Sequence, residues 1–303
     1  MKRRFIEWFS VAVLATAGLW SCSDDHLEGT ESAGVAQGDK VTFVIDIPGH
    51  TDPATRAIPE GGTADNDVRT VTILLFNATD GKYFDFVRPL GAINTVAGSE
   101  FRKTFTVLLP EGDFGVLVLA NADDMLTGDF DLEANKTALQ VQDMSYFERG
   151  LVRTLDVGAK WIADPAAAGY KPFPMAALYA IPADRASMDP IHLTRMLAKI
   201  NLKFDTPAIS SQFTLKEIRL CNYNRSGTLV PGDYGGGAPS VFNNADLNLP
   251  TAPNSPDKAV GLANALVYSG AALAGNRCVD EIFLPEAAAV SEANWQDGVC
   301  LLV

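Results

Sequence analysis

The amino-acid sequence predicts an all-β protein with one short helix, built as two tandem β-sandwich domains. Short segments rich in β-branched and aromatic residues recur along the chain, and such segments are typical of strands. Groups of Gly, Pro, Asn and Asp separate them, and repeated turn signals between short strands favour sandwich architectures. The chain has 303 residues, of which 47% are hydrophobic. This length exceeds that of one typical domain and favours two.

The first 25 residues carry the features of an export signal. A basic start at residues 2–4 is followed by a short apolar run, and Cys22 stands directly before a polar stretch. This order describes a secretory signal, and the cysteine at the cleavage position resembles the lipobox of a bacterial lipoprotein. A membrane-spanning anchor is the alternative, but the apolar run is shorter than the ~20 residues that a bilayer requires. Residues 1–22 are therefore interpreted as a lipoprotein signal peptide, with Cys22 as the first mature residue, carrying acyl chains such as palmitate.

The mature chain begins with a tether and a strand. Residues 23–40 are polar and contain Gly, so they are predicted to tether the lipid to the folded part. Residues 41–47 alternate apolar and polar side chains, which predicts the first strand. One face of this strand carries four apolar side chains, Val41, Phe43, Ile45 and Ile47. Pro48-Gly49 ends the strand, a loop over residues 50–66 follows, and Arg56 lies in its middle.

Two hairpins and a helix are predicted after this loop. The hairpin strands cover residues 70–76 with 83–87, and residues 104–109 with 114–119. Gly near each tip provides the positive φ that tight connections require. Apolar residues at helical spacing predict one helix over residues 132–147.

The second half of the chain repeats the strand pattern. A break at Asp189-Pro190 separates the predicted N-terminal domain, residues 41–190, from the predicted C-terminal domain, residues 191–303. The predicted strands of the second domain are residues 197–204, 213–221, 227–231, 279–284 and 299–303. The last strand is apolar up to Val303, so we expect the C-terminal domain to be incomplete there. The alternative is a natural terminus whose last strand pairs in the sheet.

Composition and motifs argue against nucleic-acid binding and against catalysis. The formal net charge of −13 repels nucleic acid and anionic lipid head groups. The three histidines are not spaced as metal ligands, and neither HExxH nor CxxC occurs. Neither a Gly-rich phosphate loop nor a nucleophile elbow is present. We therefore expect a protein that is not an enzyme and has neither cofactor nor metal.

The cysteines leave the redox state open. Apart from Cys22, the chain contains Cys221, Cys278 and Cys300, so at most one disulfide can form among them. An exported protein reaches a compartment that permits a disulfide. Each cysteine lies beside strand-like apolar residues, which favours three small buried thiols.

Five short segments are weak patterns singly but follow one another in a specific order. They are the lipobox, Thr55-Arg56-Ala57, residues 109–113 running into 119–122, Phe173-Pro174-Met175, and residues 193–200. Leu284-Pro285-Glu286 is a weaker sixth segment. In this order they cover most of residues 20–290 and resemble the fimbrillin family of Bacteroidales, the pilin subunits of type V pili.

The resemblance implies a structural pilin subunit that contributes to adhesion and is assembled by strand exchange. Family members are tandem β-sandwich lipoproteins, and an arginine-specific protease cuts the loop after their first strand. Here the cut would fall between Arg56 and Ala57. The first strand would then leave, and a strand of another fimbrial subunit would fill its groove by β-augmentation. The groove-filling side chains would be Val41, Phe43, Ile45 and Ile47, and the lipid on Cys22 would hold the precursor at the outer membrane.

Two alternative functions are compatible with these residues. A surface glycan-binding lipoprotein would use exposed loop aromatics, for which Trp161 and Tyr170 are the candidates. A lipid-retained fimbrial anchor subunit would keep its first strand. Stalk subunits of the resembled family continue past the position of Val303 into the segment that donates a strand, which leaves polymerisation by this chain open.

Overall fold

Among the residues that the structure describes, strands are the predominant secondary structure, and the helices are few and short. A computed structural model describes residues 38–47, 66–154, 161–162, 166, 168–182, 184–185, 188–202, 214–230, 257–274, 277–278, 282–285, 287 and 297–303. Several sheets with little helix confirm the prediction of an all-β fold. Within the described ranges, none of the helices has the length and apolar character needed to cross a membrane.

The secondary-structure elements follow one another in short steps. The strands up to residue 195 are β1 Gly38–Asp46, β2 Val71–Asn77, β3 Tyr83–Val87, β4 Asn94–Thr95, β5 Arg102–Pro110, β6 Phe114–Ala120, β7 Val152–Thr154, β8 Met175–Ala180, β9 Ile191–His192 and β10 Thr194–Arg195. The helices are α1 Lys136–Leu139 and α2 Met144–Gly150, with 3-10 turns at Asp123–Met125, Gly128–Phe130, Leu262–Asn264 and Gly270–Ala272. The later strands are β11 Leu197–Ile200, β12 Glu217–Cys221, β13 Tyr223–Asn224, β14 Ser226–Thr228, β15 Lys258–Ala259, β16 Leu266–Ser269, β17 Leu273–Ala274, β18 Arg277–Cys278, β19 Ile282–Pro285 and β20 Cys300–Leu302.

Two sheets share one hydrophobic core in the N-terminal part. One sheet has the strand order β4-β5-β1-β9, and the other has the order β10-β8-β6-β2-β3. The first core contains side chains of both sheets, among them Phe43, Ile45, Phe105, Val107, Ile73, Leu75, Val116, Val118 and Tyr179. Two sheets that bury their inner faces against each other form a β-sandwich.

The central strands of the five-stranded sheet are buried on both faces. Every residue of β6 is buried, and so is every residue of β2 except the last. Leu75 and Val116 belong to the first core, whereas their neighbours Leu74 and Leu117 belong to a second core that also contains Phe147 of α2. Burial on both faces explains why these strands are continuous apolar runs instead of alternating ones.

The predicted hairpin between residues 104–109 and 114–119 is wrong, although both strands exist. β5 pairs with β1 and β4, whereas β6 pairs with β2 and β8. The turn between them therefore carries the chain from one sheet to the other. β5 alternates buried and half-buried residues, while β6 has no polar face and needs cover on both sides. The other predicted hairpin is confirmed, because β2 and β3 are antiparallel neighbours.

The single helix predicted over residues 132–147 is also wrong, because two short helices occupy this region. The backbone N–H of Tyr83 donates to the carbonyl of Gln142 at 2.9 Å, and Lys82 forms an isolated bridge with Asp143. This pairing draws the chain to the edge of β3, so α1 ends before it and α2 begins after it. Leu139 of α1 and Phe147 of α2 both pack into the second core.

Short strands continue through the second half around a third core. Their sheets have the orders β11-β19, β16-β12-β20, β13-β15 and β17-β18, and β14 pairs with β7. The third core includes Ile218, Leu220, Tyr223, Leu266, Tyr268, Cys278 and Ile282. The second core draws on both halves, since the ring centroids of Phe173 and Phe283 lie 4.7 Å apart. The domain boundary at residue 190 stays a prediction.

Candidate functional site

The candidate site is the first strand, β1, together with the groove that it fills. β1 pairs with β5 in antiparallel register along its full length, from Gly38 opposite Pro110 to Asp46 opposite Arg102. Its other edge pairs with β9 in parallel, and only at its last two residues. Along residues 38–44 none of the described strands covers that second edge. β1 is therefore held mainly by one neighbouring strand.

The inner face of β1 is buried from Val41 onward, and Ile47 directly after the strand continues it. Val41, Phe43, Ile45 and Ile47 are 3%, 0%, 0% and 3% exposed. The ring of Phe43 stacks on that of Phe105, with centroids 5.8 Å apart and an angle of 12° between the planes. Full burial of an apolar side chain of this size contributes roughly 1.5–3 kcal/mol. Removal of β1 would therefore uncover a long apolar groove beside β5.

The outer face of β1 carries polar contacts with β5. The hydroxyl oxygens of Thr42 and Thr106 lie 3.0 Å apart. Arg102 donates to the Asp46 carboxylate through Nε at 2.6 Å and Nη2 at 2.9 Å. The hydrogen bond with Asp46 raises the pKa of Arg102. Exposed pairs of this kind add little stability, and the buried face is the stronger determinant of register.

The two ends of β1 are fitted closely to their neighbours. A Cβ atom on Gly38 would lie 2.5 Å from the carbonyl oxygen of Leu109, so only glycine fits at this position. At the other end, the N–H of Ile47 donates to the carbonyl of Phe101 at 2.8 Å. The pairing of β1 with β5 is thus continuous into the residue that follows the strand.

Asn121 holds the chain where the loop after β1 rejoins the fold. This residue follows β6, has a positive φ of 56° and is 7% exposed. Its Oδ1 accepts the backbone N–H of Arg69 at 2.8 Å, and its Nδ2 donates to the carbonyls of Asp67 at 2.7 Å and Phe173 at 2.9 Å. One buried amide therefore ties residues 67–69 to the end of β6 and to the segment before β8.

Further polar contacts surround Asn121. The hydroxyl of Tyr170 donates to the Asp67 carboxylate at 2.9 Å, and Nε of Arg69 donates to the same carboxylate oxygen at 2.7 Å. The Arg69 guanidinium lies 4.6 Å from the centroid of the Tyr170 ring. Arg195 donates from Nη2 to Oδ1 of Asn66 at 3.0 Å. We call this cluster the loop anchor; it consists of Asn66, Asp67, Arg69, Asn121, Tyr170 and Arg195.

Three of the segments that carry the family resemblance meet in the loop anchor. Asn121 belongs to residues 119–122, Phe173 is the first residue of the fourth segment, and Arg195 belongs to residues 193–200. The sequences of these segments indicate the family but do not by themselves predict this role. The signal that was present is an Asn directly after a buried strand, because Asn tolerates positive φ and can bond neighbouring backbone groups.

The remaining site predictions have different outcomes. Cys22, Arg56 and Ala57 lie outside the described residues and stay predictions. Trp161 is 8% exposed, stacks on Phe173 with centroids 5.8 Å apart and donates from Nε1 to the carbonyl of Lys171 at 3.0 Å. Tyr170 belongs to the loop anchor. Both aromatic residues considered for glycan binding are therefore engaged in packing.

The chemistry available at this site is backbone pairing and apolar burial. Within the part of the chain that the structure describes, no group of three or more His, Cys, Asp or Glu could hold a metal ion. β1 uses both backbone pairing and apolar burial, because it has one continuous partner strand and one face that is buried from Val41 onward.

Comparison with known proteins gives one family match and several distant structures. Residues 40–195, more than half of the chain, match the family model described as major fimbrial subunit protein (FimA). The tip fimbrial protein Mfa3 of Porphyromonas gingivalis, with a C-terminal truncation, is 18% identical with a TM-score of 0.46, covering 85% of this chain and 72% of its own. A fimbrilin (FimA) and the fimbrial anchor protein Mfa2 of the same organism are 13% and 12% identical, with TM-scores of 0.33 and 0.34. These two cover 72% and 84% of this chain, and 68% and 75% of their own chains. No curated protein matches the chain.

Proposed function

This chain belongs to the family of major fimbrial subunit (FimA) proteins, and we propose that it enters a fimbria by exchange of its first strand. The family is one of structural subunits of cell-surface fimbriae, so the chain is a pilin-like subunit. The proposal concerns how it is exported, triggered and joined to its neighbours, and it includes a contribution of the finished fimbria to adhesion.

The first step is export as an outer-membrane lipoprotein. The basic start, apolar run and Cys22 support this step. The lipid keeps the subunit at the membrane while β1 still fills its own groove. Cells fed a fatty-acid analogue should label the native chain and leave the Cys22→Ala variant unlabelled. Labelling that survives this substitution would contradict lipidation at Cys22.

The second step is a cut between Arg56 and Ala57 by an arginine-specific protease. In the sequence, residues 48–65 join β1 to the rest of the fold, so this cut separates β1 covalently from β2. The loop anchor supports the proposal, because it would hold the new N-terminal segment through residues 66–69 after the cut. β1 would then be retained only by non-covalent contacts.

The third step is replacement of β1 by a strand of another subunit. The observation that carries the proposal is the continuous pairing of β1 with β5, from Gly38 to Asp46, combined with one face that is buried from Val41 onward. Departure of β1 would leave the edge of β5 that faces β1 unpaired and the first core open. An incoming strand that alternates apolar and polar residues would restore both, with the apolar side chains setting its register.

The experiment compares native fimbriae with the variants Arg56→Ala and Arg56→Lys. The native subunit should begin at Ala57, whereas both variants should retain the residues before the cut and fail to polymerise. Arg56→Lys keeps the charge and removes the arginine that the protease requires, so trypsin added to the purified variant should restore cleavage. Trypsin should not cut at this position in Arg56→Ala. Polymers in which residues 38–47 are still attached through an uncut loop would refute the proposal.

A further inference from the structure

Two cysteines face each other across a pair of strands in the second half of the chain. β12 and β20 are antiparallel, and Cys221 lies directly opposite Cys300 in their register. Opposite residues of an antiparallel pair have Cα atoms about 4.5 or about 5.5 Å apart, depending on their hydrogen bonding. Both separations fall within the roughly 4.4–6.8 Å that disulfides span. The backbone therefore already has the spacing that a bridge requires.

The two thiols interact and differ in their access to solvent. Cys221 is 3% exposed, whereas Cys300 is half-buried. Burial raises the pKa of Cys221, and a hydrogen bond and charge interaction with the Cys300 thiol raise it further. The third cysteine of the fold, Cys278, is placed differently, because its partner across β17 and β18 is Leu273. The register thus distinguishes one pair among the three cysteines.

We propose that Cys221 and Cys300 form a disulfide after export and that this bond fastens β20 to β12. Fimbrial subunits of this family act at the cell surface, outside the reducing cytoplasm, where disulfides persist. The inference is independent of strand exchange at β1. It requires only that the chain reaches an oxidising compartment.

The bond forms by two thiol–disulfide exchanges with an oxidant, the disulfide of an extracytoplasmic thiol oxidase. The more accessible Cys300 thiolate attacks that disulfide, giving a mixed disulfide and releasing one oxidant thiol. The Cys221 thiolate then attacks the Cys300 sulfur and displaces the second oxidant thiol. Two cysteine thiols are oxidised, one oxidant disulfide is reduced to two thiols, and the two protons pass to the oxidant sulfurs.

The bond would reinforce a weakly held strand. β20 has three residues and, among the described strands, pairs only with β12. The disulfide closes a loop of roughly 80 residues, and longer closed loops restrict the unfolded chain more. That loop includes β13 to β19 and most of the third core. The disulfide should therefore stabilise the whole second half of the chain and not β20 alone.

The test maps the cysteines of the full chain, expressed with its own signal and purified from the membrane without reductant. Free thiols are trapped with N-ethylmaleimide, and the protein is cut with trypsin and Asp-N. Cleavage after Arg219 and Arg225 and before Asp297 releases residues 220–225 and 297–303. These peptides should be recovered as one disulfide-linked species that dithiothreitol separates, while Cys278 carries the maleimide.

Variants identify the bond and its effect. Cys221→Ser and Cys300→Ser should each abolish the linked species, whereas Cys278→Ser should retain it. Dithiothreitol should lower the unfolding temperature of the native chain and of Cys278→Ser by several degrees, and leave Cys221→Ser unchanged. Two results with the native chain would refute the proposal. One is that both Cys221 and Cys300 still carry maleimide after incubation with oxidised glutathione. The other is a disulfide that links either of them to Cys278.

Discussion

At the scale of single residues, Asn121 connects separate chain segments in the loop anchor. Its side chain joins two separate segments, and its backbone occupies the left-handed region that glycine and asparagine tolerate best. These two properties have different energetic consequences. A substitution that keeps the backbone conformation and removes the side-chain amide therefore measures the contribution of the hydrogen bonds to the free energy of unfolding.

Asn121→Gly should therefore destabilise the protein by about 1–3 kcal/mol, because the Arg69 N–H and the Asp67 and Phe173 carbonyls lose their partner. Glycine accepts the positive φ, so backbone strain does not contribute. Urea denaturation of the chain without its signal peptide gives the free energy of unfolding. Asn94→Gly is the control, since Asn94 is exposed and donates only to the carbonyl of Ala92. Equal losses in both variants would show that the loop anchor is not held by the Asn121 amide.

At the scale of elements, β1 shows how a strand combines strong burial with weak attachment. Its inner face is buried from Val41 onward, its outer face carries partly exposed polar contacts, and β9 supports it only at one end. Strand replacement needs this combination, because an exchangeable strand must fit its groove and still be able to leave it. β6 is the opposite case, since β2 and β8 pair with it on both edges and apolar side chains cover both faces.

Substitutions at neighbouring positions of β1 should have very different effects. Phe43→Asp places a carboxylate where a fully buried ring stacks on Phe105, so β1 should detach and become sensitive to protease. Thr42→Asp lies on the exposed face and should change stability by less than about 1 kcal/mol. Thermal unfolding and limited proteolysis of both variants measure this difference.

A milder substitution at Phe43 keeps the test informative if Phe43→Asp does not fold. Phe43→Ala should lose about 3–5 kcal/mol through the cavity it leaves. Similar stability and protease sensitivity in Thr42→Asp and Phe43→Ala would contradict a groove-filling role for β1.

At the scale of the whole molecule, residues 37–303 form one compact unit. The second core is shared between the two predicted domains, through contacts such as the ring pair Phe173 and Phe283. Strand pairing crosses as well, because β14 pairs with β7. Two halves that share a core are expected to unfold together, even where the sequence predicts two sandwiches.

Calorimetry of the chain without its signal peptide should therefore show a single transition, with the calorimetric and van't Hoff enthalpies in agreement. Phe283→Ala should lower the stability of the whole unit by about 3–5 kcal/mol, because it opens a cavity in the shared core. Val267→Ala, at a side chain that is 40% exposed in β16, is the control and should have a small effect. Two separate transitions, with only one of them moved by Phe283→Ala, would contradict this coupling.

Local chemistry along the chain was sufficient to predict several features. Short stretches of sequence predict the alternation of residues 41–47, the β2–β3 hairpin and the strand character of β6. They do so because side-chain periodicity is a local property. The order of five weak segments was likewise sufficient to indicate the family, which the match over residues 40–195 shows.

Only the tertiary structure decided which strands are neighbours. The turn after β5 has the residues of a hairpin, yet β5 joins β1 and β6 joins β2, because a strand without a polar face must be covered on both sides. Pairing of Tyr83 with Gln142 likewise interrupted a helix that spacing alone predicted. The loop anchor joins residues that are about 50–130 positions apart in the chain. The facing residues Cys221 and Cys300 are about 80 positions apart. Such contacts depend on the register of distant strands, which no local pattern encodes.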